Sequence, residues 1–261
     1  LLLASAVRSA YPRARVLSID TSPAMQIEGV VAVYTSDDVP GEKVIGHIVQ
    51  DYDVMIPVGG ITRFLGDAIA LVVAENEAAL AAGKTAVKVE YEPLTPVFSP
   101  EESMREDAPQ VHEGHDNLLS FQCVKRGNPD EAIRNSAHVV TNHYSVPFTE
   151  HAFMETECAV AETDGDVVHI YCADQGIYQT HKECTAMLGL PPEKVRVSAM
   201  MVGGVRRQGG HERTASRRVG RVPDQKAGQG AFEPRGEHSD PPEAPRHGDG
   251  IHHRLRRERS F

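Results

Sequence analysis

Apolar residues fall into short runs with strand or helix periodicity as far as Gly204, and there the pattern stops. ARVLSID (14–20) predicts a strand, and Thr21–Met25 a polar turn or short helix containing Pro23. GVVAVYT (29–35) is a second β-rich run, opened by Gly29, and DDVPGEK (37–43) is loop punctuation. AIALVVA (68–74) is apolar throughout, as a strand covered on both faces requires. Asn76 is placed to cap a helix whose Ala and Leu positions share a face, and AVKVEYE (86–92) alternates with period two, the mark of a half-buried strand. Strand, helix and strand in such close succession predict a small α/β domain ending near Pro100, of a size that folds alone.

The acidic, Pro-containing stretch from Ser99 to His115 reads as a linker. Beyond it, Asn128 caps a short helix, with Pro129 at its first position and Asp130 and Glu131 near its positive end. HVVTNHYSV (138–146) predicts a long strand, and CAVAETDGDVVHIYCA (158–173) a hairpin turning at Asp164-Gly165. IYQTHKECTAMLG (177–189) predicts a helix with Tyr178, Cys184 and Leu188 on one face, closed by Gly189. KVRVSAM (194–200) is a further strand. The fold class is therefore α/β (α+β), with a second region opening near residue 120 and still under way at Met201.

From Val205 the composition breaks. Residues 205–261 hold twelve Arg, one Lys and eight acidic residues, so the remainder is more acidic than the net −10 of the whole chain. An acidic body argues against nucleic acid as a partner, because phosphate contacts need clustered Lys and Arg. The tail's aliphatic residues are Val205, Val219, Val222, Ile251 and Leu255, too few for a core, which predicts a disordered tail lying off the body.

Other classes fall away quickly. The four Cys (Cys123, Cys158, Cys172 and Cys184) lack C-x-x-C spacing and read as buried free thiols in a reducing compartment rather than metal ligands. No apolar run approaches the roughly 18 residues of a membrane span. LLLASAVRSAYPRAR is too short and lacks the basic start of a signal peptide, and without an initial Met it reads as the interior of a longer chain. These features predict a soluble cytoplasmic protein.

Three stretches are candidates for chemistry. VPFTEHAFMETECAVA (146–161) gathers Glu150, His151, Glu155 and Glu157, but neighbours on an extended segment point to opposite faces, so a polar bend is the better reading. ADQGIYQ (173–179) leaves a strand, passes Gly176 and enters a helix, where backbone N–H groups can meet an anion or cofactor phosphate. MMVGG (200–204) is a strand running into glycines, a second place for close cofactor approach.

The ordered series SAYPRARVLSIDTSPAMQIEGVVAVYTSDDVPG, FLGDAIALVVAENEAALAAGKTAVKVEYEPLTPVFSPEES, GNPDEAI, VPFTEHAFMETECAVA and LGLPPEKVRVSAMMVGG resembles the xanthine dehydrogenase/aldehyde oxidase family, in its molybdenum-cofactor-binding subunit. HIVQDYDVMI and ADQGIYQTHKECTAMLGLPPEKVRV are similar to the selenium-dependent xanthine dehydrogenase type. The resemblance implies an α/β hammerhead domain over 1–105, a linker over 106–119, and the truncated start of a molybdopterin-binding domain over 120–204. It implies oxidation of purines, other N-heterocycles or aldehydes, with a molybdenum–molybdopterin cofactor and with iron–sulfur and FAD groups on partner subunits or domains. Gln175 matches the family glutamine whose amide approaches a molybdenum oxo ligand. Gly176, Gly203 and Gly204 are the accompanying cofactor-contact positions. The family's catalytic base, a Glu, lies beyond this chain, so the resemblance places no catalytic residue and no protein metal ligand here.

Family members continue after the strand with Gly-(Gly/Ala)-Phe-Gly-Gly-Lys-Glu, where this chain reads Gly-Gly-Val-Arg-Arg-Gln-Gly-Gly-His. Read one base forward, the codons at this point permit Ala-Phe-Gly-Gly-Lys-Glu-Asp. The same shift turns DPPEAPRHGDGIHH (240–253) into Ile-His-Pro-Lys-Arg-His-Gly-Met-Glu-Met-Glu-Phe-Thr-Thr, again similar to the family. The tail therefore reads as out of frame rather than as a nucleic-acid arm, and His252-His253 as no metal site. The alternative is a non-catalytic remnant, a folded hammerhead domain with a scaffold or interface role.

Overall fold

A computed structural model describes residues 1–46, 49–146, 158–201 and 228–230. The chain opens with a strand, β1 (Leu2–Arg8), whose alternate residues Leu2, Ala4 and Ala6 are buried. Next come β2 (Ala14–Asp20), a one-turn helix α1 (Ser22–Met25), β3 (Val30–Tyr34) and the short strands β4 (Val44–Ile45), β5 (Tyr52–Asp53) and β6 (Ile61–Thr62). β7 (Ala68–Ala74) is buried at every position, as its unbroken apolar run predicts.

Asn76 caps α2 (Glu77–Ala86), its side-chain oxygen accepting from the Ala79 N–H at 2.9 Å. Gly83 lets this helix settle on the sheet, because a Cβ there would meet Val30 and Val72 at 2.9 Å. β8 (Lys88–Pro93) pairs with β2, and β6 pairs with the other edge of β2, giving a three-stranded sheet. β4 and β5 form a separate two-stranded ribbon.

The connection carries two short helices, α3 (Pro100–Ser103) and α4 (Pro129–Arg134), each with the Ser or Asn cap and first-turn Pro that begin such helices. Residues 138–146 do not form the expected strand. Val140, Tyr144 and Val146 are more than 80% exposed and pair with no ladder among the described residues. Alternation alone does not hold an extended segment; it needs a neighbouring strand to take its hydrogen bonds.

The second region contains β9 (Ala159–Asp164), β10 (Val167–Cys172), α5 (Ile177–Leu188) and β11 (Val195–Ala199). β9 and β10 form the expected hairpin; the loop itself is Gly165-Asp166, with Gly165 at φ +60°. α5 buries Thr180, Glu183, Cys184, Met187 and Leu188. Tyr178 is 87% exposed, which corrects its placement on that face: six residues of helix carry it well around the axis from Cys184. Gly189 ends the helix in the left-handed conformation.

β12 (Gly228–Gly230) completes a seven-stranded sheet of order β11-β10-β9-β12-β1-β7-β3. This corrects the expectation that the whole tail stays off the body. β1 and β9 would otherwise leave unpaired backbone edges facing each other, and β12 takes those bonds, parallel to β1 and antiparallel to β9. The rest of 205–261 lies outside the described residues.

Two smaller core clusters lie within the first 95 residues, one around Val72 and Leu80 and one around Val16 and Ile69. The largest joins the two regions, bringing Leu2, Ala4, Leu71 and Val73 against Ile170, Cys184 and Met187. Among the cysteines, Cys172 and Cys184 are buried as expected, whereas Cys123 is exposed.

Candidate functional site

β10 and β11 run parallel, with Cys172 opposite Ala199, and α5 connects them. Their carboxyl ends therefore open on the same side of the sheet, where α/β sheets receive ligands. Beyond β11, the N–H of Met200 donates to the carbonyl of Cys172 at 2.9 Å, so the two strands stay together past the end of their ladder. Gln175 leaves from one strand end, and the path toward Gly203 and Gly204 leaves from the other. Gly203 and Gly204 themselves lie outside the described residues.

The turn that carries Gln175 is organised by its neighbour Asp174. One carboxylate oxygen of Asp174 accepts from the Gly176 N–H at 2.8 Å, and the other accepts from the hydroxyl of buried Thr180 one turn into α5. The Cys172 thiol lies 4.0 Å from the same carboxylate. Gly176 is the helix N-cap, and its carbonyl takes the Thr180 N–H at 3.0 Å. Asp174 thus closes an Asx-type turn onto the Gly176 N–H and ties that turn to the first turn of α5 through Thr180. The result is a fixed turn that presents Gln175, an exposed residue, at the positive end of a twelve-residue helix.

The far side of α5 is held as firmly. His181 Nε2 donates to the carbonyls of Val195 (2.9 Å) and Pro192 (3.0 Å), tying the helix to the start of β11. Inside the sheet, His169 Nε2 and Ser198 Oγ are 2.9 Å apart across the β10–β11 pair. On α5, Gln179 Nε2 donates to Oε1 of buried Glu183 at 2.8 Å.

The donor set fits a cofactor rich in oxygen and negative charge. Gln175 offers an amide that can donate as well as accept, and the helix end adds a favourable potential. Among the described residues no three His, Cys, Asp or Glu side chains converge on a metal position. The acidic bend at Glu150, His151, Glu155 and Glu157 lies outside the described residues. A cavity of about 350 Å³ opens elsewhere, walled by Pro12, Arg13, Arg63, Phe64, Pro96 and Phe98, and takes nothing from the Gln175 turn. Sequence reading missed Asp174 and Thr180, although an Asp two residues before a helix-opening Gly is itself an Asx-turn signal.

Two family models match the chain in succession. The aldehyde oxidase and xanthine dehydrogenase a/b hammerhead domain matches residues 2–95, and the molybdopterin cofactor-binding domain matches residues 111–205. A probable xanthine dehydrogenase subunit of Bacillus subtilis is 35% identical over 206 residues, covering 78% of this chain and 27% of that protein. The nicotinate dehydrogenase large molybdopterin subunit of Eubacterium barkeri is 32% identical over 205 residues, covering 78% of this chain and 48% of that protein. This chain therefore spans less than half the length of either relative. The aldehyde oxidoreductase of Desulfovibrio gigas superposes with a TM-score of 0.78 at 23% identity, over 89% of this chain and 27% of that one. Quinoline 2-oxidoreductase of Pseudomonas putida 86 gives 0.74 at 24% identity, over 89% and 31%. At these identities the superpositions speak for the fold.

Proposed function

Because the chain belongs to the xanthine dehydrogenase and aldehyde oxidase family, as its molybdenum-cofactor-binding subunit, we propose that it contributes one wall of a molybdenum hydroxylase active site. We place the hammerhead domain at 1–105, a linker at 106–119 and the molybdopterin-binding region at 120–204. The substrate class is a purine, another N-heterocycle or an aldehyde. When bound, the molybdenum–molybdopterin cofactor supplies the two-electron chemistry that hydroxylates the substrate carbon with oxygen from water. Electrons leave through iron–sulfur and FAD groups on partner subunits or domains, and the assembly is cytoplasmic.

The roles of the chain's own residues follow from their places. Gln175 would help hold the cofactor, its amide N–H donating to an oxygen of that group. Gly176, Gly203 and Gly204 let backbone approach closely, and Asp174 and Thr180 keep the Gln175 turn in shape. The observation that carries this reading is the common exit of Gln175 and of Met200 from the carboxyl ends of two adjacent parallel strands, with Gly203 and Gly204 following in the sequence.

We further propose that residues 205–261 are translated out of frame, so that the second cofactor loop is lost and the 261-residue chain does not retain the cofactor. A partial site bears the ordering cost of binding with only some of the contacts. The experiment is metal analysis of two proteins, this chain and a frame-restored version. The restored protein is expected to hold stoichiometric molybdenum, and selenium measured alongside tests the selenium-dependent type. Stoichiometric molybdenum in the 261-residue chain would refute the loss of the site. In the restored enzyme, Gln175→Ala is expected to lower turnover or molybdenum content by roughly 10-fold or more. Unchanged values would refute its role. A chain without molybdenum in either form favours the scaffold reading, for which the specific observation is the hammerhead core clusters complete within the first 95 residues.

A further inference from the structure

The strand position between β1 and β9 has an occupant that does not suit it. Register places Gly228 beside Leu2 and Ala161, and Gly230 beside Ala4 and Ala159. Those four neighbours belong to, or pack on, the largest core cluster, with Leu2, Ala4 and Ala159 all less than 7% exposed. Residues paired across a ladder share a face, so positions 228 and 230 both fall on the core side of the sheet. Glycine there gives the strand nothing to bury and leaves it with a low preference for extended structure. Position 229 falls on the other face, beside Leu3 and Val160, which are only partly buried. A central strand between two apolar neighbours is a place for an apolar–polar–apolar triplet, and this chain puts Gly-Gln-Gly in it.

We propose that this position is a strand-accepting slot whose native occupant is an apolar–basic–apolar segment of the same gene, encoded by the codons for residues 228–230 read one base forward. The proposal rests on the out-of-frame reading above. The genetic code constrains the shifted triplets tightly. The Gly228 codon followed by that of Gln229 gives Val, Ala, Asp or Gly. The Gln229 codon followed by that of Gly230 gives only Lys or Arg. The Gly230 codon followed by that of Ala231 gives Val, Ala, Glu or Gly. The forced basic residue falls at the position on the more open face, and both core-facing positions admit Val. The slot also bridges the two regions, because β1 belongs to the first and β9 to the second. Its occupant therefore joins the hammerhead sheet to the strands that carry the Gln175 turn.

Two measurements separate the slot from the frame. The first uses the 261-residue chain and reads its melting temperature. Gln229→Pro removes a backbone donor from a strand paired on both sides and is expected to lower Tm by about 2 °C or more. Gly228→Val with Gly230→Val is expected to raise Tm by a similar amount or more, through buried apolar area. An unchanged Tm in the Pro variant overturns the slot assignment at these residues, whatever the frame. The second measurement is the DNA sequence across codons 204–261. An open forward frame with Val or Ala at both core-facing triplets is expected. A stop codon in that frame, or Asp, Glu or Gly at either triplet, overturns the shifted occupant and leaves the slot result standing.

Discussion

The backbone N–H of Gly41 donates to the carbonyl of Met187 at 3.0 Å, and the next N–H, of Glu42, donates to Ala186 at 2.9 Å. A loop of the first region thus satisfies the Met187 carbonyl at the end of α5, work that water does in an isolated helix, and adds a second donor to the Ala186 carbonyl, which also takes the Gly189 N–H. The contact is too close for any side chain: a Cβ on Gly41 would lie 2.0 Å from the Ala186 oxygen. Gly41→Ala is expected to force the loop off the helix, with a loss of about 1–3 kcal/mol. Urea denaturation measures this, and a change within error would show that the loop yields freely.

Asp174 is the second test. Replacing it with Ala leaves the Gly176 N–H and the buried Thr180 hydroxyl without their acceptor, at a cost of about 1–3 kcal/mol. Amide exchange of Gly176 through Thr180 should accelerate, while exchange in β7 keeps its wild-type rate. Asp174→Asn, which retains a carbonyl acceptor, is expected to recover part of the loss.

The third prediction concerns pH. Asp67 is 3% exposed and accepts from the N–H groups of Arg63 (2.6 Å) and Phe64 (3.3 Å). Burial raises its pKa above the usual carboxylate value, and these two bonds and the Arg63 charge only partly oppose that. The folded state therefore keeps the proton to higher pH than the unfolded chain does. This group's contribution to stability is fully present below the unfolded value of 3.8 and is lost as pH rises through the folded one. Asp67→Asn should gain in Tm relative to the wild type as pH rises from about 3 to 7. A constant difference across that range contradicts the direction.

The fourth prediction separates local from shared stability. A fragment ending near Pro100 retains the two inner core clusters but strips the partners from Leu2, Ala4, Leu71 and Val73. It should unfold in one sigmoidal transition at a Tm several degrees below that of the whole chain. A gradual melt, or an equal Tm, argues that the first region does not carry a core of this kind.

The sequence made the strongly patterned elements legible. β7 is apolar at every position, α2 announces itself with Asn76, and Gly165 marks the hairpin. β1 was missed because LLASAVR mixes Ala and Ser into its alternation, and its burial comes from β7, far away in sequence. The strand expected at 138–146 failed for the opposite reason: its pattern is clear, but no described neighbour completes its ladder. At the site, Gln175 and Gly176 came from a family resemblance, whereas Asp174 and Thr180 emerged only when α5 brought positions six residues apart together. The parallel pairing of β10 with β11 could not be read from either strand alone, since pairing depends on both.

The core that runs from Leu2 and Val73 across to Ile170 and Met187 also bears on how such a protein can evolve. Two segments that match separate family models look like cassettes that recombination could exchange. Their side chains interlock in one packed layer, so a hammerhead segment imported from a distant relative would arrive with mismatched volumes at that seam. Exchange should therefore succeed mainly between lineages whose residues opposite Ile170 and Met187 have changed in step, and the two segments should be inherited as a pair.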